Sequence, residues 1–218
     1  MKASIEWSAL LKTFNDAIKV CQSLGYNYLW VDSLCILQDD RKDWEIEAAQ
    51  MGNVYRNADL VLAATSSIGD EHGFLDFRKI SLGDHESTVL STFPVTWLGN
   101  TYNIHVSTQL IHYTHYFAGE PLSTRAWTFQ ERLLARRFLS FNQFEVHFEC
   151  ETSWRCECGT GDLAVDNHHP YNLQAMLTTA DSAFIYSEWY RKIIERYSQR
   201  YLTKSSDKLP AISAVAST

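Results

Sequence analysis

Two groups of residues in this chain have types and spacings suited to chemistry. The first spans residues 32–47. On helical spacing Glu47 falls at the margin of an apolar stripe made by Trp44, Ala48, Met51 and Tyr55, while Glu45 points more toward solvent. A carboxylate half-buried beside Trp and Met takes a raised pKa or needs a partner, which makes Glu47 the first candidate for a working acid. The bland alternative is an acid early in a helix, favoured by the helix dipole and paired with Arg41. Asp32 interrupts the apolar run of residues 28–36. A buried aspartate must be hydrogen-bonded or paired, so Asp32 orients a ligand hydroxyl, pairs with Arg125, or caps a turn at a strand end. Cys35 and Gln38 follow at the carboxyl end of that run, where open α/β sheets bind ligands. Cys35 has no histidine close in sequence to activate it, so as a nucleophile it is a poor bet.

The second group is Arg125, Trp127, Gln130 and Glu131. With Ser123 or Thr124 as helix cap, Trp127 and Glu131 stand four residues apart on one face. Arg125 suits a phosphate or carboxylate held bidentately, and Trp127 suits stacking on a flat ring. Read as structure alone, the same residues give an Arg–Glu pair and a core tryptophan locking a helix to a sheet. A third set, Cys150, Cys156 and Cys158 with His168 and His169, has the spacing Cys-x5-Cys-x-Cys instead of paired Cys-x2-Cys, so zinc is not expected and a hairpin end with free thiols is. The glycines from 69 to 73 lack the phosphate-loop pattern, and no nucleophile-elbow motif occurs. Arg125, Arg132, Arg136 and Arg137 read as a basic patch at a helix C-terminus.

These residues need elements to hold them. Trp7, Leu10, Leu11, Phe14, Ile18 and Cys21 mark one amphipathic helix that Gly25 ends. Residues 28–36 read as a buried strand, Asp39 and Asp40 as caps of the next helix, and residues 59–65 as a second buried strand. Strand, helix, strand in succession predicts a right-handed crossover onto a parallel sheet. Residues 66–83 form a long loop, 87–95 and 102–107 strands, and 121–134 one helix. Residues 137–141 and 144–149 form a hairpin in which Phe144, Val146 and Phe148 alternate with Glu145, His147 and Glu149. The rest is helical, with Phe184, Trp189, Ile193, Ile194 and Tyr197 on the inner stripe.

The totals bound the function. Hydrophobic residues make up 45% and charged residues 21% of 218 residues, enough for a real core, and the 13% aromatic share makes much of it Trp, Tyr and Phe. With 26 acidic against 19 basic residues and a net charge of -7, neither nucleic acid nor an anionic membrane is an expected partner. No apolar run approaches a bilayer span and no secretory signal opens the chain; five cysteines make no disulfide framework, so an intracellular, cytoplasmic setting is expected. The start in a helical pattern and the apolar end from Leu209 to Val215 suggest a fragment or shortened product.

Three blocks in order resemble the fungal heterokaryon-incompatibility (HET) domain. They are Leu29-Trp30-Val31-Asp32-Ser33-Leu34-Cys35-Ile36-Leu37-Gln38-Asp39, then residues 43–58 from Asp43-Trp44-Glu45 to Tyr55-Arg56-Asn57-Ala58, then Arg125-Ala126-Trp127-Thr128-Phe129-Gln130-Glu131-Arg132-Leu133-Leu134. Residues 189–197 and 202–211 also look like the stretch that follows this domain in many such proteins. The family's usual opening strand, roughly aromatic-Ser-Tyr-x-Trp-Gly, has no match before Trp7. The resemblance implies a cytosolic effector of cell death in non-self recognition and a distant likeness to TIR domains, some of which hydrolyse NAD. It therefore implies a TIR-like α/β fold, a partly parallel sheet flanked by helices with an added β-hairpin and C-terminal helices. The domain would occupy residues 1–160 and a helical extension 161–218. NAD is the implied substrate, with Glu47 stabilising the oxocarbenium-like state and Arg125 or Trp127 holding the nucleotide. The competing expectation is a non-enzymatic module that self-associates or docks on other incompatibility or receptor-type proteins.

Overall fold

The computed structural model describes residues 5–75, 81–82, 85–86, 89–107, 120–143, 145–150, 153–157 and 181–217. The first stripe forms a 3-10 turn at Trp7–Ala9 and helix α1, Lys12–Ser23, which Gly25 ends at φ +80. Residues 66–75 dock on α1. The Thr13 amide donates to Asp70 O at 2.9 Å, the Gly73 amide to Thr13 Oγ1 at 3.2 Å, and the amides of Phe74 and Leu75 to Asp16 Oδ2 at 3.1 and 3.3 Å. Gly73 is required at this contact: its φ is +71, and a Cβ there would lie 2.5 Å from Asp16 Oδ2.

Residues 28–36 do not form the expected strand. Tyr28 is 93% exposed, and the chain is extended only as far as Val31. One helical turn, α2 (Asp32–Cys35), follows, with the amides of Leu34 and Cys35 donating to Val31 O. A strand needs a paired edge, and among the described residues the apolar run has none. Asp32 instead starts a helical turn, its Oδ1 accepting from the Ser33 amide at 2.7 Å. The expected crossover from 28–36 to the next strand is therefore absent.

Helix α3, Arg41–Asn57, starts as expected at Asp40, whose side chain accepts from the amides of Lys42 and Asp43. Arg41 pairs with Glu45 at 2.9 Å, so the partner foreseen for Glu47 belongs to its neighbour. Strand β1, Val61–Ala63, runs parallel to a strand far along the chain, Arg137–Phe141, with Leu62 beside Leu139. Two short strands, β2 (Ser81–Leu82) and β3 (His85–Glu86), pair with each other. They are followed by a separate hairpin of β4, Val89–Trp97, and β5, Asn100–Ser107. Its turn, Leu98-Gly99, has φ of 50 and 80, the left-handed pair a two-residue hairpin turn demands.

The helix expected over 121–134 is broken. A 3-10 turn, Pro121–Thr124, is followed by extended Arg125 and then by helix α4, Trp127–Leu134. Ser123 and Thr124 do not cap it: their hydroxyls donate back to Glu120 O and Pro121 O. The break lets Arg125 bridge in parallel to Tyr201, with Tyr201 N to Thr124 O at 2.7 Å and Ala126 N to Tyr201 O at 2.9 Å.

The main sheet has the order β1-β6-β7-β8, where β6 is Arg137–Phe141, β7 Val146–Cys150 and β8 Trp154–Cys156. Its pairings after β1–β6 are antiparallel, so the fold is mixed α/β with a partly parallel sheet and helices. The expected hairpin is present, but its polar face is the buried one: Glu145, His147 and Glu149 are 4%, 2% and 5% exposed. They have partners. His147 Nε2 lies 2.9 Å from Glu145 Oε1, its Nδ1 lies 2.9 Å from Asn142 Nδ2, and Glu149 forms an ion pair with Arg132. That pair also dissolves the expected basic patch, since Arg132 is buried while Arg137 turns to Asp59 O.

The C-terminal part folds as α5, Ser182–Glu188, a π-helical stretch, Trp189–Ile194, α6, Glu195–Ser198, and α7, Pro210–Ala216. The π turn shifts the expected stripe: Ile193 and Tyr197 are buried, whereas Phe184 and Ile194 are exposed. These helices share one core with α4, in which Ala126, Phe129, Leu133 and Leu134 meet Ile193, Tyr197, Ala211, Ile212 and Val215. Helix α7 approaches α3 so closely that a Cβ on Gly52 would collide with the Cβ of Ala214.

Candidate functional site

Four elements converge on one carboxyl group, that of Glu131. It projects from α4; Tyr55 comes from the last turns of α3, Asp32 from the start of α2, Arg125 from the break before α4, and Arg200 from just after α6. The Tyr55 hydroxyl donates a hydrogen bond to the Glu131 carboxylate. Burial is the largest influence on Glu131, and with the negative charge of Asp32 it pushes the carboxyl up to about 7. Arg125, the Tyr55 hydroxyl and Arg200 pull the other way without cancelling it. The phenol of Tyr55 is itself driven well above its ordinary range, by burial first and then by Glu131 and Asp32, so it stays a donor at neutral pH. Tryptophans pack on the same helices. Trp30 meets Tyr55 edge-on with centroids 5.9 Å apart, and Trp127 meets Trp44 edge-on at 6.4 Å.

A carboxyl titrating near neutrality, with a cation and a neutral donor beside it, can take or give a proton at working pH, which is what general acid–base catalysis requires. Arg125 is exposed, and an exposed guanidinium is suited to holding an anion.

The structure brings together Asp32, Arg125 and Glu131 from the sequence candidates, with Trp127 on the same helix face as Glu131. Asp32 and Arg125 form no direct ion pair among the described residues; each acts on Glu131 instead. Glu47, one turn after Trp44 on α3, is half-buried. Cys35 closes the α2 turn, exposed, and Gln38 Nε2 donates to Ile36 O at 3.0 Å beside it. Gln130 is 2% exposed and its Oε1 accepts from the Ala214 amide at 2.9 Å, tying α4 to α7.

Tyr55 and Arg200 are the members that sequence reasoning missed. Tyr55 was read as core by its spacing, yet a tyrosine on an inner stripe carries a hydroxyl that must find a partner. Arg200 sits in a polar run with no local signal.

Among the described residues no cluster of three or more His, Cys, Asp or Glu side chains can hold a metal ion, and Cys150 Sγ lies 3.1 Å from Ser153 Oγ. Cys158, His168 and His169 lie outside the described residues. No described helix is long and apolar enough to cross a membrane.

The family model of the heterokaryon incompatibility protein (HET) matches residues 1–131. No curated protein and no solved structure matches the chain. The matched segment covers well over half of the sequence and contains Asp32, Tyr55, Arg125 and Glu131. The chain belongs to the heterokaryon incompatibility (HET) family.

Proposed function

We propose that this chain is a cytoplasmic cell-death effector of heterokaryon incompatibility that hydrolyses the nicotinamide–ribose bond of NAD, in the manner of the TIR-like domains its family resembles. The observation that carries the reading is the Glu131 carboxyl, held near neutrality by burial and donated to by Tyr55. In the reaction, the oxygen of a water molecule bonds to the anomeric carbon of the ribose. Nicotinamide leaves with the bonding electron pair, and the proton of the water passes to Glu131. A fixed carboxylate facing the oxocarbenium-like charge lowers the barrier, and Asp32 and Glu47 are the two candidates for it. Arg125 takes the diphosphate and Trp127 a flat ring. NAD is substrate here.

The test is nicotinamide release from NAD by the purified chain. Glu131→Gln is expected to lower the rate about 100-fold or more, the usual worth of a general base. Asp32→Asn and Glu47→Gln assign the fixed charge to whichever variant loses activity. A release rate unchanged by Glu131→Gln overturns the proposal.

A second reading has its own observation. The hairpin β4–β5 carries no Asp, Glu, Lys or Arg, and it exposes Phe93, Val95 and Trp97 on one face with Tyr102 opposite Val95. An uncharged aromatic face on an acidic chain favours a self-associating interaction module, acting with other incompatibility or receptor-type proteins. That reading expects concentration-dependent oligomers by analytical ultracentrifugation and toxicity that survives Glu131→Gln.

A further inference from the structure

The family match ends at Glu131, but the surroundings of that residue do not. Arg200, far beyond the matched segment, donates through Nη1 to Arg125 O at 3.1 Å and to Thr128 Oγ1 at 3.2 Å. Its Cζ lies 4.6 Å from the ring centroid of Phe129, so one face of the guanidinium is stacked and two of its directions are fixed. The Thr128 hydroxyl has a single hydrogen, directed at the carbonyls of Leu122 (2.8 Å) and Arg125 (2.9 Å), which leaves its lone pairs to accept from Arg200. Thr128 and Glu131 stand three residues apart on α4, so a guanidinium anchored at Thr128 is held beside the Glu131 carboxyl. The backbone bonds of Tyr201 with Thr124 and Ala126 clamp this arrangement at the residue where α4 begins.

We propose that Arg200 is a positioning residue for Glu131, delivered by the C-terminal segment through the Tyr201 bridge, so that the site of this chain is complete only when residues 200–201 are docked on the family-matched part. Arg200 touches no substrate in this scheme. It fixes a positive charge beside the carboxyl that Asp32, Tyr55 and Arg125 face from the other elements. A residue with a merely structural role would lower stability when replaced and leave the carboxyl's titration where it was.

The inference rests on Glu131 being the working carboxyl, yet its test does not depend on turnover. Glu131 is followed by carbon NMR of the full chain, its signal identified by its loss in Glu131→Gln. Replacing Arg200 by Gln is expected to raise the midpoint by about one pH unit, because a neighbouring cation that favoured the charged form is gone. Arg200→Lys returns most of the shift. Thr128→Val leaves the charge but frees the side chain, and is expected to move the midpoint upward by less. An unmoved midpoint in folded Arg200→Gln overturns the proposal; where that variant does not fold, an unmoved midpoint in Thr128→Val does so. A shifted midpoint with NAD cleavage indifferent to Glu131→Gln keeps the coupling and discards the NAD reading.

Discussion

Burial presses on two acids, Asp16 and Glu131, and they respond in opposite directions. Asp16 is 0% exposed on α1. Burial alone would raise its pKa, but the amides of Phe74 and Leu75 and the ammonium groups of Lys12 and Lys19 outweigh it, so the carboxyl sits below its ordinary value. Glu131 keeps some exposed surface, yet burial and Asp32 win over Arg125, Tyr55 and Arg200, and its carboxyl rises to about 7. The first acid is fully compensated and serves as a fastener for the 66–75 loop. The second is left under-compensated, which marks it as a candidate for a working group. The buried polar row at β7 and the residue before it sides with Asp16: Glu145, His147 and Glu149 all have close partners.

This contrast can be broken from either side. The largest effect is expected at Asp16→Asn, which strands two lysines and spoils the seat of the Phe74 and Leu75 amides. Urea denaturation near neutral pH should show a loss of about 3 kcal/mol, somewhat less than for a wholly buried pair because both lysines are partly exposed. The sign with pH follows from the lowered carboxyl. The stability Asp16 supplies is present above its unfolded value of 3.8 and is lost as pH falls through its folded value, so the variant should differ least from wild type in strong acid. A loss that persists undiminished at the lowest pH contradicts its part as a charged fastener.

Glu131→Gln is the smaller and opposite change. The folded carboxyl titrates near 7 against 4.5 when unfolded, so wild type loses stability as pH rises between those values. Gln carries no such penalty. The full difference from 4.5 to about 7 would be worth about 3.4 kcal/mol; solvent at the carboxyl's exposed edge reduces it, so the variant should match wild type below pH 4.5 and exceed it by roughly 2 kcal/mol above pH 7, while activity falls. A variant less stable than wild type at pH 8 would place Glu131 with Asp16, as a structural acid.

Much of the frame was legible because its signals are local. Asp40 caps α3, Gly25 stops α1, and the strands at 137–141 and 146–150 form the expected hairpin. What escaped depends on distant partners. Residues 28–36 have a strand's composition, but no strand among the described residues supplies an edge, and β1 pairs instead with β6. Apolar alternation on β7 suggests the wrong buried face, because Arg132 and Asn142, which make Glu149 and His147 tolerable inside, are named by no local pattern. At the site, Asp32, Arg125, Trp127 and Glu131 could be singled out from the sequence. Tyr55 looks like packing, and Arg200 reaches the group from far along the chain, by its own bonds to Arg125 and Thr128 and by the neighbouring Tyr201 bridge.

The central claim concerns a single proton. Carbon NMR titration of the Glu131 side chain in the unmodified protein addresses it without reference to any substrate. The account expects a midpoint near 7; a midpoint at the ordinary glutamate value of about 4.5 contradicts it.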